Sequence, residues 1–576
     1  MISVSLLLTL LLSCADRAPE SASSTLGADS DAADTDAVDT ADTGIVDTAD
    51  AGQSKDSGEP EPVELTPASF SAVGQAALEA LAVYGGSRHV TWNYSADSTL
   101  DSDWILQTPP EEHWGMKAED FAADVTCTDA DCDPEFLLRY CSVQSDCTGG
   151  GTCQPMASSV TTQGQEAVSM CAGHSDQLFE DFYLAITEGE EFIDVVSLTE
   201  PDGRFLVAIR NALTFLDSTA SSARVRLNFG SINGAFFDQY EVINDLTRDL
   251  PSDTALQVHV GGWRSAVDSW NHAKIIAVDG QLLIQGGHNM WDVDYLRANP
   301  VHDLTMRLRG TPAVDAHHFA DRLWEYTCED HWGWSWTGRA SFPDGVVDCP
   351  PAYDRVPEDP LEEGPRVISV GRLSEPVGEN PADDAMLAMI RATESTLRLS
   401  QQDIGPIRLY DDFTLTDWPD ELLRELAYAM ARGVDVMLVI TNASSILNGY
   451  GNGWLPAEVA AAMELWILEN PGILSEDTDA HELVCERFNI AGLRFSAEDV
   501  WPDGSNIGNH SKFMISDEQA FYLGSQNLYP ADLAEFGLIV DDADLTAEVM
   551  VAYWEPMWTR SVLGAVSGSQ APSCSF

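Results

Sequence analysis

Basic residues are scarce in this chain of 576 residues. It has 29 lysines and arginines against 94 aspartates and glutamates, which gives a formal net charge of −65. Only four of the basic residues are lysines: Lys55, Lys117, Lys274 and Lys512. Binding a polyphosphate backbone requires a basic surface that displaces counterions. The composition therefore argues against a nucleic acid as the partner.

Long apolar runs are also missing. Residues 1–13 are almost all apolar but too few to cross a bilayer, and no other stretch reaches the ~18 apolar residues of a membrane-spanning helix. The end of this first stretch, Leu11-Leu12-Ser13-Cys14, is typical of a bacterial lipoprotein signal peptide, in which Cys14 becomes the lipidated first residue. An ordinary secretory signal peptide is the alternative. Either interpretation predicts export, as a lipoprotein of the outer membrane or cell surface or as a secreted protein.

The segment that follows is acidic and poor in apolar residues. Residues 15–65 include 14 acidic and two basic residues, and most of the others are Ala, Thr, Ser, Gly and Pro. Such a segment cannot bury enough apolar surface to offset its conformational entropy. We therefore expect residues 14–66 to consist of the lipidated cysteine and a disordered acidic tether.

Ten cysteines follow Cys14, and an even number in an exported protein indicates disulfides. Six of them crowd into residues 127–171, which read as a disulfide-stapled insert. A zinc site is the alternative there, but the spacing of Cys141, Cys147 and Cys153 does not match the usual ligand pairs. These three and Cys171 should pair among themselves, in an order that the sequence does not give. The favoured pairs outside the insert are Cys328–Cys349 and Cys485–Cys574.

Two blocks of the chain repeat the same order of elements. Residues 176–229 and 382–440 each read as helix, strand, helix, strand, and alternation of this kind predicts parallel β-α-β units. A hairpin follows each block, at 274–285 and 512–523. The sequence therefore predicts an α/β fold built by duplication.

The hairpins carry matching residues, and every matched pair differs by 238 positions. The pattern His-x-Lys-x4-Asp followed by Gly and Asn occurs as His272, Lys274, Asp279, Gly286 and Asn289, and again as His510, Lys512, Asp517, Gly524 and Asn527. Alternation along a strand places the histidine and the lysine on one face. The same alternation turns the aspartates away, so Asp279 and Asp517 are predicted to be structural. Two imidazoles, two ammonium groups and two amides around one phosphate would supply a nucleophile, a proton donor and charge neutralisation.

The duplicated motif resembles that of the phospholipase D superfamily. Further segments resemble the secreted streptomycete-type phospholipases D; they are residues 269–280, 286–291, 294–296, 323–328, 400–403 and 524–531. The resemblance implies two α/β/α sandwich halves related by a pseudo-twofold axis, with one active site at the seam. The expected halves are 67–355 and 356–576, and the cysteine-rich insert interrupts the first.

The resemblance also implies roles for the site residues. His272 is the expected nucleophile that forms a phosphohistidine, and His510 is the expected acid and base. Lys274 and Lys512 neutralise phosphoryl oxygens, while Asn289 and Asn527 donate hydrogen bonds. No metal or other cofactor is expected.

Two carboxylates and one disulfide follow from the same resemblance. Asp303 is expected to orient His510, and Glu535 to orient His272, each across the seam. This chain has Glu at 535 where the resembled family has Asp. The family also has a disulfide at the spacing of Cys127 and Cys132, which implies that these two cysteines pair.

The function implied is a phospholipase D that releases phosphatidic acid and a free head group from glycerophospholipids such as phosphatidylcholine, with transphosphatidylation to other alcohols. The expected partner is a phospholipid membrane or vesicle surface, and the expected state is a monomer. Two alternatives stay open. One is another phosphodiesterase or phosphatidyltransferase of the superfamily, such as a nuclease or a cardiolipin-synthase-like enzyme. The other is a non-catalytic surface protein that binds a partner.

Replacing Cys14 by Ser should release the protein from the membrane fraction, because the acyl chains that anchor it would have no attachment point. Fractionation and mass spectrometry of the intact protein check this. A wild-type protein that is fully soluble and carries no lipid would contradict it.

Overall fold

The computed structural model describes residues 69–85, 91–116, 139–147, 151–230, 239–264, 269–328, 349–355, 363–373, 378–410, 413–414, 416–442, 450–472 and 479–576. All of them fall within one compact unit, Leu65–Phe576. The predicted signal peptide, Cys14, the acidic tether and the Cys127–Cys132 pair lie outside the described residues. No described helix is both long and apolar enough to cross a membrane.

Strands and helices alternate along the chain. The strands are β1 (Trp92–Ser95), β2 (Ile105–Thr108), β3 (Thr152–Met156), β4 (Val168–Ala172), β5 (Phe192–Ser197), β6 (Arg224–Phe229), β7 (Gln257–Gly262), β8 (Ile275–Val278), β9 (Leu282–Gly286), β10 (Asp303–Arg309), β11 (Arg366–Arg372), β12 (Thr396–Ser400), β13 (Arg408–Tyr410), β14 (Phe413–Thr414), β15 (Asp435–Ile440), β16 (Phe488–Gly492), β17 (Phe513–Ser516), β18 (Ala520–Gly524) and β19 (Glu535–Asp541). The α-helices are α1 (Ala72–Leu81), α2 (Gln177–Thr187), α3 (Gly203–Ser218), α4 (Gln239–Thr247), α5 (Asp292–Tyr295), α6 (Thr311–Cys328), α7 (Pro381–Ala392), α8 (Asp420–Ala431), α9 (Pro456–Glu469), α10 (Ala480–Arg487), α11 (Ala543–Val549) and α12 (Glu555–Ser561). A π-helical turn, Met550–Trp554, joins the last two.

Two large sheets organise the molecule. One has the strand order β2-β10-β9-β8-β5-β6-β7, and the other has the order β1-β11-β19-β18-β17-β12-β15-β16. Strands β5, β6 and β7 run parallel, as do β12, β15 and β16, and each parallel set is joined to an antiparallel hairpin. The predicted α/β fold with duplicated halves is therefore confirmed in its sheets.

Apolar packing explains how the sheets are layered. The outer face of each sheet packs on its own helices, α2–α4 for the first sheet and α1 with α7–α10 for the second. The inner faces share one cluster with α6, α11 and α12, in which Leu283 of one hairpin and Phe521 of the other are both fully buried. This shared cluster places the two hairpins, and the motifs they carry, on either side of one seam.

The start of the described chain belongs to the second sheet. Strand β1 pairs antiparallel with β11, with Trp92 opposite Val370. Phe70 and Val73 pack in the apolar cluster of the second sheet, and the Ser71 backbone N–H donates to Asp541 at 2.7 Å. The expected first half, 67–355, included these residues, whereas burial of their apolar side chains draws them to the other sheet. The division of the chain at 355 and 356 stays a prediction.

Four disulfides tie described segments. Cys328 pairs with Cys349 and Cys485 with Cys574, as predicted. In the insert, Cys141 pairs with Cys153 and Cys147 with Cys171, an order that the sequence left open. The β3–β4 hairpin places Cys153 opposite Cys171, so the two bridges fasten both of its strands to the segment before it.

The motif aspartates hold the hairpins to the neighbouring strands. Asp279 and Asp517 occupy equivalent turns with φ of 52° and 51°. The Asp279 carboxylate accepts three successive backbone N–H groups, of residues 190–192, at 2.6–3.0 Å, and Asp517 accepts those of residues 394–396 at 2.6–2.9 Å. Both carboxylates therefore fix the entry of the first parallel strand of each sheet, at the end away from the histidines.

Replacing Asp279 by Ala should lower the free energy of unfolding by roughly 2–4 kcal/mol, because three backbone donors lose a charged acceptor. Urea denaturation followed by circular dichroism checks this. The exposed Glu498 offers a matched control, and Glu498→Ala should change the free energy by less than ~0.5 kcal/mol. An equal effect of the two substitutions would contradict the structural role of Asp279.

Candidate active site

Two short backbone bridges cross the seam and position the motif histidines. The His272 N–H donates to the Ala534 carbonyl, and the His510 N–H donates to the His302 carbonyl, both at 2.7 Å. The residue after each acceptor is a carboxylate, Glu535 or Asp303. At each bridge, an imidazole from one sheet therefore lies beside a carboxylate from the other, and the two bridges are related by the pseudo-twofold axis.

Each histidine is paired with a carboxylate from the other sheet. His272 Nδ1 lies 2.7 Å from Glu535 Oε1, and His510 Nδ1 lies 2.7 Å from Asp303 Oδ2. The two rings approach with centroids 6.2 Å apart. With Nδ1 held by a carboxylate, Nε2 is the nitrogen left for chemistry on each ring. The contacts expected of Asp303 and Glu535 are thus present, while the catalytic roles of all four residues stay predictions.

The motif lysines reach the same place. Lys274 Nζ donates to the carbonyl of His272 at 2.6 Å, and Lys512 Nζ donates to the carbonyl of His510. Burial, together with the facing Lys512 ammonium, holds the pKa of Lys274 well below its ordinary value. Burial also lowers the pKa of Lys512, to about 8. Two ammonium groups this close in a dry site favour an anion between them, since an anion would relieve both desolvation and mutual repulsion.

The motif asparagines leave amide atoms unused. Asn289 is fully buried, and neither its Oδ1 nor its Nδ2 finds a hydrogen-bond partner among the described residues. Asn527 Nδ2 donates to the Tyr529 hydroxyl at 2.9 Å, and its Oδ1 is likewise unpartnered there. Because an unsatisfied buried amide costs free energy, these two side chains are suited to hydrogen-bond a bound ligand.

Electrostatics separate the two histidine–carboxylate pairs. Burial and the facing Lys274 and Lys512 hold the pKa of His272 well below its ordinary value, and burial lowers that of His510 to about 4. Burial raises the pKa of Glu535 to about 7. Burial alone would also raise the pKa of Asp303, but the neighbouring imidazoles hold it below its ordinary value. Neutral imidazoles therefore dominate at neutral pH before a phosphate binds.

The carboxylates have different outer partners, which the sequence reasoning missed. Arg372, at the end of β11, donates to Glu535 Oε2, whereas the Tyr295 hydroxyl donates to Asp303 Oδ2 at 3.0 Å. Neither residue belongs to the duplicated motif. A signal did exist for another missed pair, Asn271 and Asn509, which precede the histidines and also differ by 238 positions. Their amides tie the motif to strand-end carbonyls of both parallel sets.

Two other buried histidines are held by contacts within the fold, His288 beside the site and His317 at the far end of the first hairpin. Both ring nitrogens of His288 lie 2.8 Å from threonine hydroxyls, those of Thr108 and Thr305. His317 binds Asp194 and receives the Gly280 N–H. Among the described residues, the groups that could hold a metal ion are Cys141, Cys147 and Cys153, and His481, Cys485 and Cys574. Every cysteine in these groups is disulfide-bonded, and neither group adjoins the motif histidines.

Comparisons with known proteins give one relative with substantial coverage. The chain is 26% identical over 454 residues to phospholipase D of Streptomyces antibioticus, covering 67% of this chain and 77% of that protein. No family model matches the chain.

Two solved structures are similar at a lower level. The phosphatidylserine synthase of Haemophilus influenzae aligns with a TM-score of 0.42 and 15% identity over 65% of this chain and 83% of that one. The polyphosphate kinase of Porphyromonas gingivalis aligns with a TM-score of 0.38 and 12% identity over 69% of this chain and 47% of that one. TM-scores this low carry no functional argument.

Replacing Asp303 by Asn should lower kcat by about 10²–10⁴-fold, because an amide fixes the wrong tautomer of His510 and cannot stabilise its imidazolium. Steady-state kinetics with a phosphodiester substrate checks this. The matched control is Tyr295→Phe, which removes one hydroxyl donor and keeps the carboxylate, and it should cost less than ~10-fold. Equal losses in the two variants would show that Asp303 acts only through packing.

Proposed function

This chain belongs to the phospholipase D superfamily, and on that premise we propose that it is a phospholipase D that hydrolyses glycerophospholipids to phosphatidic acid and a free head group. The observation that carries the proposal is the meeting of two histidine–carboxylate pairs across one seam, with ring centroids 6.2 Å apart. The relative from Streptomyces antibioticus, whose name states the same activity, supports the choice of substrate class.

The proposed reaction proceeds in two displacements at phosphorus. His272 Nε2 attacks, a P–N bond forms, and the P–O bond to the head-group alcohol breaks. His510 gives its Nε2 proton to the departing alkoxide, which leaves as the free alcohol. His510 then takes a proton from water, the water oxygen bonds to phosphorus, and the P–N bond breaks to release phosphatidic acid. An alcohol in place of water gives transphosphatidylation by the same steps.

The remaining motif residues stabilise charge on the phosphoryl oxygens. Lys274 and Lys512 would exchange their carbonyl contacts for the phosphate, where each ammonium acts as a point charge in a dry site. Asn289 Nδ2, which finds no described partner in the free protein, would donate a hydrogen bond to the phosphate, and Asn527 Nδ2, which donates to the Tyr529 hydroxyl there, would donate a second. Binding of the phosphate also favours protonation of His510, because the added negative charge opposes the lysines.

The alternatives are less well supported. A nuclease is disfavoured because a chain with a net charge of −65 repels nucleic acid. A purely binding protein is disfavoured because it has no need for two buried histidines and two buried lysines, each of which costs desolvation free energy. The proposed partner is accordingly a phospholipid surface, approached by a monomer exported to the envelope or beyond.

Incubating the protein with phosphatidylcholine vesicles should release choline and phosphatidic acid, and adding ethanol should yield phosphatidylethanol. Mass spectrometry of the lipids with a choline assay measures both products. His272→Ala should abolish both, and the exposed Glu498→Ala should leave both intact. If no vesicle composition is turned over but another phosphodiester is, the phospholipase D assignment is wrong and the protein has another activity of the superfamily.

Removing the histidines one at a time tests their division of labour. A nitrophenyl phosphodiester has a good leaving group, so it can bypass a lost acid but not a lost nucleophile. His510→Ala should therefore accumulate phosphohistidine at 272, whereas His272→Ala should trap nothing. Phosphopeptide mapping that finds the phosphate on His510 of the wild type would reverse the assignment.

A further inference from the structure

The two site carboxylates lie in surroundings of different charge. Asp303 accepts hydrogen bonds from neutral donors, the Tyr295 hydroxyl at 3.0 Å and the Leu304 N–H at 2.8 Å, besides its contact with His510. Glu535 binds a cation, because Arg372 donates to its Oε2 while Oε1 faces His272. Both carboxylates are fully buried, so solvent does not equalise the difference.

Arg372 is held in place by several contacts. Its Nε donates to the Leu533 carbonyl at 3.1 Å, and its Nη1 lies 3.2 Å from Asp383 Oδ1. Asp383 also accepts from the side-chain amide of Gln526, the second residue after Gly524 in the second motif. The guanidinium is therefore a fixed charge behind Glu535, on the side away from the imidazole.

This difference in charge acts on the proton count of each pair. The positive charge of Arg372 opposes the rise in pKa that burial imposes on Glu535, although Asp383 binds the same guanidinium. Asp303 has no guanidinium among these partners; burial alone would raise its pKa, and the neighbouring imidazoles of His510 and His288 hold it below its ordinary value. An extra proton on the His272–Glu535 pair blocks nucleophilic attack by His272, whichever residue carries it. On His272 it occupies the Nε2 lone pair. On Glu535 it makes the carboxyl group a donor to Nδ1, so that the ring adopts the tautomer with hydrogen on Nε2.

We propose that Arg372 is a positioning residue that keeps Glu535 ionised and so keeps the His272–Glu535 pair free of this extra proton. The proposal rests on the proposed function for its kinetic consequences.

Other charged groups also face the His272–Glu535 pair. The titratable groups around His272 and Glu535 are Lys274, Lys512, His510, Asp383, Tyr522 and Tyr529. Lys274 and Lys512 are related by the pseudo-twofold and face both histidines. Burial lowers the pKa of both rings, with Arg372 among the further causes for His272 alone. Arg372 is the cation that binds Glu535 directly, whereas Asp303 has the Tyr295 hydroxyl in the corresponding place.

Two substitutions should move the acid limb of the pH profile of kcat/KM in opposite directions. Arg372→Met leaves Glu535 a lone buried anion, so protonation of the pair becomes easier and the acid limb should rise by about 1–2 pH units. Asp383→Asn removes the competing carboxylate, so Arg372 acts more fully on Glu535 and the limb should fall by a few tenths of a unit. Arg372→Lys keeps the charge and should keep the limb near its wild-type position with a lower kcat. The alkaline limb, which reports His510, should not move in any of the three.

A second measurement separates failure of this proposal from failure of the proposed function. NMR titration of ring-labelled histidine reports the protonation of His272 directly, without any substrate, and should show the same signs of shift. If phosphatidylcholine is not turned over but the titration shifts as stated, the proposal stands and the substrate assignment fails. If the titration and acid limb of Arg372→Met coincide with those of wild type while kcat falls, Arg372 is merely structural and the proposal is overturned. Should Arg372→Met not fold, Asp383→Asn should still lower the limb while Arg372→Lys leaves it unchanged, and a limb that does not fall in Asp383→Asn would overturn the proposal.

Discussion

The structure of the site follows from one constraint: two imidazoles and two ammonium groups are buried together at a seam. Four groups that can carry positive charge repel one another and lose hydration there, so the surrounding protein must supply negative charge. It does so from across the seam, with Glu535 reaching His272 and Asp303 reaching His510. Because each sheet brings the imidazole of one pair and the carboxylate of the other, neither sheet holds a complete pair. The backbone hydrogen bonds from His272 to Ala534 and from His510 to His302 hold each carboxylate next to its histidine.

Duplication makes such a site simple to build but leaves it symmetric, whereas two-step phosphoryl transfer needs two different histidines. The differences lie outside the repeated motif. One carboxylate is backed by a guanidinium and the other by a phenol, and the former has one more methylene between backbone and carboxylate. Under the proposed function, the repeated residues would bind the phosphate, and their unrepeated neighbours would set how protons are distributed around it.

Much of this could be predicted from the sequence, because the repeat has a constant offset. The spacing of 238 positions aligned the two motifs, and period-two alternation turned Asp279 and Asp517 away from the phosphate, toward a structural role. The role of Arg372 could not be predicted from the repeat. Arg372 lies on β11, which pairs with β19, whereas the equivalent place in the first sheet, beside β10, is taken by β2, a strand from a different part of the chain. The pairing of Trp92 with Val370 was equally hidden, because strand partners distant in sequence leave no periodic signal. The order of Cys141, Cys147, Cys153 and Cys171 was hidden for a simpler reason: spacing permits three pairings, and only the β3–β4 register selects one.

The place of β1 in the second sheet has a consequence for how the protein is made. As the chain leaves the ribosome, α1 and β1 emerge before the whole first sheet, yet the strand that β1 pairs with is β11. At a synthesis rate of about 5–20 residues per second, roughly 270 further residues must be added first, which takes on the order of 15–50 seconds. During that time the apolar faces of Phe70, Val73 and Trp92 have no sheet to cover them. The first sheet can close without them, whereas the second cannot be completed until β19, the other neighbour of β11, has also been made. Joining the two ends of the chain in one sheet therefore makes assembly of the active-site seam a late event in folding.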